Sequence, residues 1–190
     1  MRQLEERILR DGRALNEEVL LVDCFLNHQV DPQLMADIGR EFAERTEGMG
    51  VTRVVTIESS GIAPAQMTAL TMNVPMVIMK KSNSRILEGA LQTEVFSFTK
   101  NKRYQLTVKP EFIRQGDRVL LVDDFMANGE AAMGAVRLIE EAGAEVAAIG
   151  IVIEKSFQPG RKLLEEKGYR VISLARVAEM SEGKISFVEE

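Results

Sequence analysis

An α/β domain with a central, mostly parallel sheet and helices on both faces is the fold class predicted by the chain, and three patterns predict it. Short runs are apolar at every position, segments of helical period lie between them, and Gly, Pro and Asn punctuate the boundaries. A strand buried on both faces reads as a continuous apolar run, whereas a half-exposed strand alternates. Strand–helix–strand repetition with continuous runs therefore means a parallel sheet covered on both sides.

Each element follows from its residues. Leu34, Ile38 and Phe42 recur at helical spacing after Asp31, and Arg53 to Ile57 reads as the first buried strand. Ser59-Ser60-Gly61 breaks that strand, and a helix follows from Ile62, with Pro64 in the first turn where a missing N–H is no loss. Asn73-Val74-Pro75 ends the helix, and Met76 to Met79 is the second strand. Arg118 to Val122 forms a third strand. Gly129 to Ala142 forms a helix with Ala132, Val136, Ile139 and Ala142 on one face, and Gly143 stands where a helix C-terminus favours glycine. Val146 to Ile153 is a fourth strand, and Pro159 to Lys167 a short helix. Residues 82–108 depart from the pattern. They alternate only at Val95 to Phe98 and Tyr104 to Val108, which predicts a long excursion with a hairpin turning at Asn101-Lys102. No linker or internal repeat divides the chain, so a single domain is expected.

Composition narrows the function. The 190 residues carry 24 basic and 29 acidic side chains, a net charge of −5, and no basic cluster interleaved with aromatics, which argues against a nucleic-acid partner. The longest apolar run, Val146 to Ile153, falls far short of a bilayer span. Residues 1–18 mix charged with apolar side chains, unlike a secretory leader. A lone Cys24 makes no internal disulfide, and a lone His28 argues against a His/Cys metal cage. The expectation is a cytoplasmic protein that handles a small molecule and binds neither nucleic acid nor membrane.

In open α/β sheets the ligand lies beyond the carboxyl ends of the strands, which singles out the loops after Ile57, Met79 and Val122. Val119 to Ala131 is the most informative stretch: four aliphatic residues run into Asp123 and Asp124, and a short loop then enters a helix at Gly129. Backbone N–H groups at a helix N-terminus bind phosphate through unsatisfied donors and the helix dipole. Gly129 lets the backbone approach without a Cβ in the way. Two carboxylates beside such a loop suit a diol next to a phosphate, as in ribose 5-phosphate. Read on spacing alone, the acid pair also suits a Mg²⁺ site or a helix N-cap. Neither a P-loop nor a dinucleotide fingerprint is present.

The same stretch resembles the phosphoribosyl-diphosphate motif of the type I phosphoribosyltransferase family. It differs at Asn128, where Thr is usual, and at Ala127, where the hypoxanthine–guanine branch carries an Asp proposed as a base. Phe25 to Pro32, Thr56 to Pro64 and Ile153 to Arg161 are similar to bacterial members that act on xanthine, and the similarity runs essentially end to end. The resemblance implies the type I fold: a core over residues 32–153, a small hood from 1–31 and 154–190, and a flexible loop over 82–103 that closes on the transition state. It also implies a cytoplasmic, Mg²⁺-dependent homodimer of purine salvage. The reaction implied joins xanthine to phosphoribosyl diphosphate, giving xanthosine monophosphate and diphosphate.

Roles follow from that resemblance. Asp123 and Asp124 hold the ribose diol, directly or through Mg²⁺, which is itself held mainly by diphosphate and ribose hydroxyls rather than by a protein cage. Ala127, Asn128, Gly129, Glu130 and Ala131 cradle the 5′-phosphate. Ser59, Ser60 and Gly61 form a diphosphate loop with Lys81, although the turn by itself suits Ser60 as a plain N-cap. Leu20, Asn27 and Lys155 meet the purine. Lys155 donates only and so suits an oxo group, while Asn27 both donates and accepts. Phe157 stacks on the base or belongs to the core, His28 serves a hydrogen bond or an interface, and residues 97–103 touch the diphosphate. Three rival readings are hypoxanthine or guanine as the base, a non-catalytic regulator that senses phosphoribosyl diphosphate, and a phosphoacceptor domain of the signalling-receiver type.

Overall fold

The computed structural model describes residues 1–82, 89–97 and 102–189. Helix α1 (Arg2–Asp11) opens the chain, and β1 (Arg13–Ala14) pairs with β2 (Leu20–Leu21) in a small antiparallel ribbon. A single wide turn over Asp23–Asn27 leads to α2 (Pro32–Arg45). Asp31 caps α2 by accepting from the N–H groups of Gln33 and Leu34 at 3.1 Å each, with Pro32 preset in the first turn. Next come β3 (Arg53–Ile57), α3 (Ile62–Met72), β4 (Met76–Ser82), β5 (Leu91–Ser97) and β6 (Lys102–Val108). The chain ends with β7 (Arg118–Met126), α4 (Glu130–Glu141), β8 (Glu145–Lys155), α5 (Gly160–Glu165), β9 (Val171–Ser181) and β10 (Lys184–Phe187).

Among the described residues the main sheet has eight strands in the order β10–β9–β8–β7–β3–β4–β6–β5. The five from β9 to β4 are parallel, and antiparallel strands close both edges, β10 on one side and the β5–β6 hairpin on the other. Neighbouring residues of one strand serve opposite cores. Val54, Leu120, Val122 and Ala148 join α1, α2 and α3, while Val55, Val119, Leu121 and Ile149 join α4 and α5. Alternate side chains point to opposite faces, so covering both faces requires the unbroken apolar runs seen in the sequence. Phe42 is fully buried and packs on Gly150, where any Cβ would stand 2.8 Å from its ring. Burying such a ring contributes about 2–3 kcal/mol.

Several boundaries differ from expectation. The third strand runs past Val122 to Met126 and so carries both acids within it, because β8 also extends, to Lys155, and keeps pairing with it. β9 belongs to the central sheet beside β8, so the core does not stop at residue 153 as expected; its run Val171-Ile-Ser-Leu-Ala175 carries the signal of a buried strand. Residues 91–97 of the expected loop instead form β5, hydrogen-bonded to β6 and packed on α4 through Val95, which meets Gly134. Lys102 already lies in β6, and Asn101, the other half of the expected turn, lies outside the described residues, as do Phe98, Thr99 and Lys100.

Candidate active site

Strand order reverses between β3 and β7: from β3 the chain moves to β4 on one side, and from β7 to β8 on the other. A crevice opens at the carboxyl ends of such strands, and here it holds a cleft of about 610 Å³. Leu20, Asn27, Ser59, Ser60, Lys81, Asp123, Asp124, Lys155 and the run Ala127 to Ala131 all line it. Residues distant in sequence thus meet in one place.

At the floor, Asp123 is 8% exposed and accepts from the backbone N–H of Asp124 at 3.1 Å. Burial, together with the neighbouring Asp124 charge, pushes its carboxyl well above the usual aspartate range, and Lys81 pulls the other way. Asp124 is half-buried. Gly61 does not line the cleft, contrary to expectation. It is buried beneath it, where a Cβ would stand 2.5 Å from Thr56 Oγ1 and 2.8 Å from Asp123 Oδ1. Its lack of a side chain is what lets the β3 turn press against the acid.

The β3 turn is tied to β4. Glu58 Oε1 accepts from the Lys81 backbone N–H at 2.6 Å, and its Oε2 stands 3.2 Å from Lys80 Nζ. Lys80 is thereby drawn to Glu58, while the Lys81 side chain lies in the cleft with Nζ 5.5 Å from the Tyr104 ring centre. The Glu58–Ser59 peptide is cis. Gly61, not Ser60, occupies the cap position of α3, and no side chain caps that helix, so the expected Ser60 cap is absent. Ser59 and Ser60 line the cleft instead.

On the β7 side, Gly129 sits at φ +81° ahead of α4, and no side chain caps the helix. The first residues of α4 line the cleft, and the first N–H groups of any helix lack partners within that helix. A Cβ on Gly129 would come within 3.0 Å of Gly160 Cα, so the loop is packed against the start of α5. Also lining the cleft, Lys155 donates to the backbone oxygen of Glu18 and stands 5.6 Å from the Phe125 ring centre. Burial lowers its ammonium below the ordinary lysine range, although the Glu18 charge opposes this.

Phe157 is 44% exposed and lies on a neighbouring groove, not in this cleft, so it is neither core nor a lining aromatic. The aromatics that line the cleft are Phe96, Tyr104 and Phe125. Phe125 follows the acid pair directly and was the legible one; Tyr104 is placed only by the pairing of β6 with β4. His28 is exposed and outside the cleft. Lys102 and Arg103 of the 97–103 segment line it. Among the described residues no helix is long and apolar enough to cross a membrane, and no group of three or more His, Cys, Asp or Glu side chains could hold a metal ion.

Comparison with known proteins agrees with this geometry. The phosphoribosyl transferase domain model matches residues 30–181. A xanthine phosphoribosyltransferase 1 of Clostridium botulinum is 60% identical over 190 residues, covering all of both chains. A xanthine phosphoribosyltransferase of Agathobacter rectalis is 56% identical, again over the full length of both. Among solved structures, the adenine phosphoribosyltransferase of Thermoanaerobacter pseudethanolicus superposes with a TM-score of 0.77 at 23% identity, covering 91% of this chain and 99% of the other, a likeness of fold. With a family model matched over residues 30–181 and relatives 56–60% identical over the full length, the chain belongs to the phosphoribosyltransferase family.

Proposed function

We propose that the protein transfers the phosphoribosyl group of 5-phospho-α-D-ribose 1-diphosphate to xanthine, giving xanthosine 5′-monophosphate and diphosphate. The observation that carries this reading is that an ammonium donor, Lys155, lines the same cleft as the acid pair and the residues Ala127 to Ala131 at the start of α4. Full-length identity to relatives named for xanthine supports the choice of base.

Displacement at the ribose C1 passes through a cationic sugar, so the protein's task is positioning and electrostatic stabilisation. The N–H groups of Ala127 to Ala131 take the 5′-phosphate, and Asp123 and Asp124 take the ribose hydroxyls while placing negative charge near the ring. Ser59, Ser60 and Lys81 face the departing diphosphate. Lys155 donates to an oxo group of the purine, Asn27 reads its edge, and Leu20 covers it. Ala127 offers no side-chain base at the position where the hypoxanthine–guanine branch carries Asp.

A magnesium ion fits the donors here: Mg²⁺ takes one or two carboxylates plus substrate phosphates rather than a protein cage, and two adjacent carboxylates, Asp123 and Asp124, line the cleft. Asp123 and Asp124 would hold it together with the ribose hydroxyls and diphosphate, and it would neutralise charge on the leaving group. The same reading expects a cytoplasmic homodimer. Steady-state kinetics with xanthine, guanine, hypoxanthine and adenine test the proposal. Xanthine is expected to show the highest kcat/KM, and faster turnover of guanine would overturn the choice of base.

A further inference from the structure

The block Ile153 to Arg161 holds two residues to which the proposed reaction gives no task. Glu154, 1% exposed, lies on β8 directly before Lys155. Its carboxylate takes three bonds from the Arg161 guanidinium: Nε at 3.0 Å from each oxygen and Nη2 at 2.6 Å from Oε2. Ser156 Oγ donates to Oε1 at 2.7 Å, and Ser173 Oγ donates to Oε2. Burial opposes ionisation of Glu154, but these donors outweigh it and hold the carboxyl below the ordinary glutamate range.

Arg161 is the second residue of α5, and the first, Gly160, rests on the phosphate loop. The Gly160 N–H donates to the Ala127 carbonyl at 3.0 Å. A Cβ on Gly160 would strike that oxygen and approach Gly129 N to 2.9 Å. The turn between is closed by the Gln158 N–H donating to the Lys155 carbonyl at 3.0 Å. One buried ion pair therefore ties down a short segment that carries Lys155 at one end and braces the phosphate loop at the other. Neither Glu154 nor Arg161 lines the cleft.

We propose that Glu154 and Arg161 are positioning residues that hold Lys155 and the phosphate loop at one separation, that of the purine and the 5′-phosphate within a single nucleotide. The proposal rests on the site assignment above. A guanidinium forked onto a carboxylate fixes both distance and angle, which a single point contact does not. When two subsites stand at a preset separation, the second half of a ligand binds without a further loss of translational freedom. Loosening the pair leaves each half its own contacts but removes that advantage from the joined ligand.

Calorimetry on the full chain separates these contributions, using xanthosine 5′-monophosphate, xanthine and ribose 5-phosphate as probes. Two variants are compared: Arg161→Lys, which retains the charge but loses the fork, and Glu154→Gln, which retains the shape but loses the charge. In each, nucleotide affinity is expected to fall about tenfold while xanthine and ribose 5-phosphate each stay within about threefold. Unchanged nucleotide affinity would overturn the proposal. So would a parallel fall for all three probes, since that marks a purely structural pair. Circular dichroism identifies a variant that fails to fold, and the other then decides the outcome. Failure of the unaltered protein to bind ribose 5-phosphate would instead overturn the site assignment, and this proposal with it.

Discussion

Asp123 and Asp124 are neighbours in sequence with different surroundings, and the difference sets what each substitution should do. Asp123 is buried against Gly61, and its proton affinity is raised first by that burial and then by the charge of Asp124. Acidification should therefore weaken ribose 5-phosphate binding at a pH above the ordinary carboxylate range. Asp124→Asn removes the neighbouring charge, so the acid limb of that binding should move to lower pH. The same variant should lower kcat about a hundredfold with little change in the KM for xanthine. A pH series of calorimetric titrations and steady-state rates reads both effects; an unmoved limb would uncouple the two acids. Lys155→Ala removes a charged donor from the purine end. It should raise the KM for xanthine about 10- to 100-fold while leaving ribose 5-phosphate affinity intact. Loss of both together would mark the lysine as structural.

At the scale of elements, the decisive joint is between β7 and α4. β7 continues through the acids because β8 pairs with it as far as Met126, and the chain then turns through Gly129 at φ +81° into an uncapped helix. If a phosphate sits there as proposed, the dipole of α4 would contribute about 0.3–2 kcal/mol, and the N–H donors would supply the rest. Gly129→Val places a β-branched residue at positive φ and a Cβ against Gly160. Ribose 5-phosphate affinity should fall by about a hundredfold or more, measured by calorimetry. Gly160→Ala is the complementary probe from α5. Its Cβ meets the Ala127 carbonyl, so it should weaken phosphate binding without touching the ligand.

Across the whole molecule, binding chemistry and stability are held at opposite ends of the strands. Where β3 and β7 begin, Asp117 accepts from Arg53 Nε at 2.6 Å, Thr52 Oγ1 at 2.9 Å and the Arg114 N–H at 2.8 Å. Burial opposes its ionisation, but these donors outweigh it and hold Asp117 below the usual aspartate range. A carboxylate depressed in the folded state contributes stability above its unfolded value of about 4, and loses it as pH falls through the folded value. Asp117→Asn leaves Arg53 without its charge partner and should cost about 3 kcal/mol at neutral pH. Urea titration should show this loss shrinking toward pH 3, with the KM for both substrates little changed in the folded variant. An equal loss at both pH values would remove Asp117 from the acid response.

The continuous apolar runs were enough to predict a parallel sheet covered on both faces, and Val119 to Ala131 was enough to place the acid pair just ahead of a glycine turn into a helix. Both signals are local: burial on two faces leaves no polar position in a strand, and a strand-to-helix turn is one uninterrupted piece of backbone. Contacts between distant segments were not legible in this way. The polar and charged second half of β9 carries no strand signal and extends to Ser181 by pairing with β10. Gly61 reads as an exposed turn residue until β7 brings Asp123 over it. Lys81 was favoured over Lys80 by resemblance alone, and the physical difference between them is a tertiary one, Glu58 drawing Lys80 aside. Tertiary structure decided the last two points because each depends on a partner tens of residues away, whose distance is set by sheet order and not by any neighbouring residue.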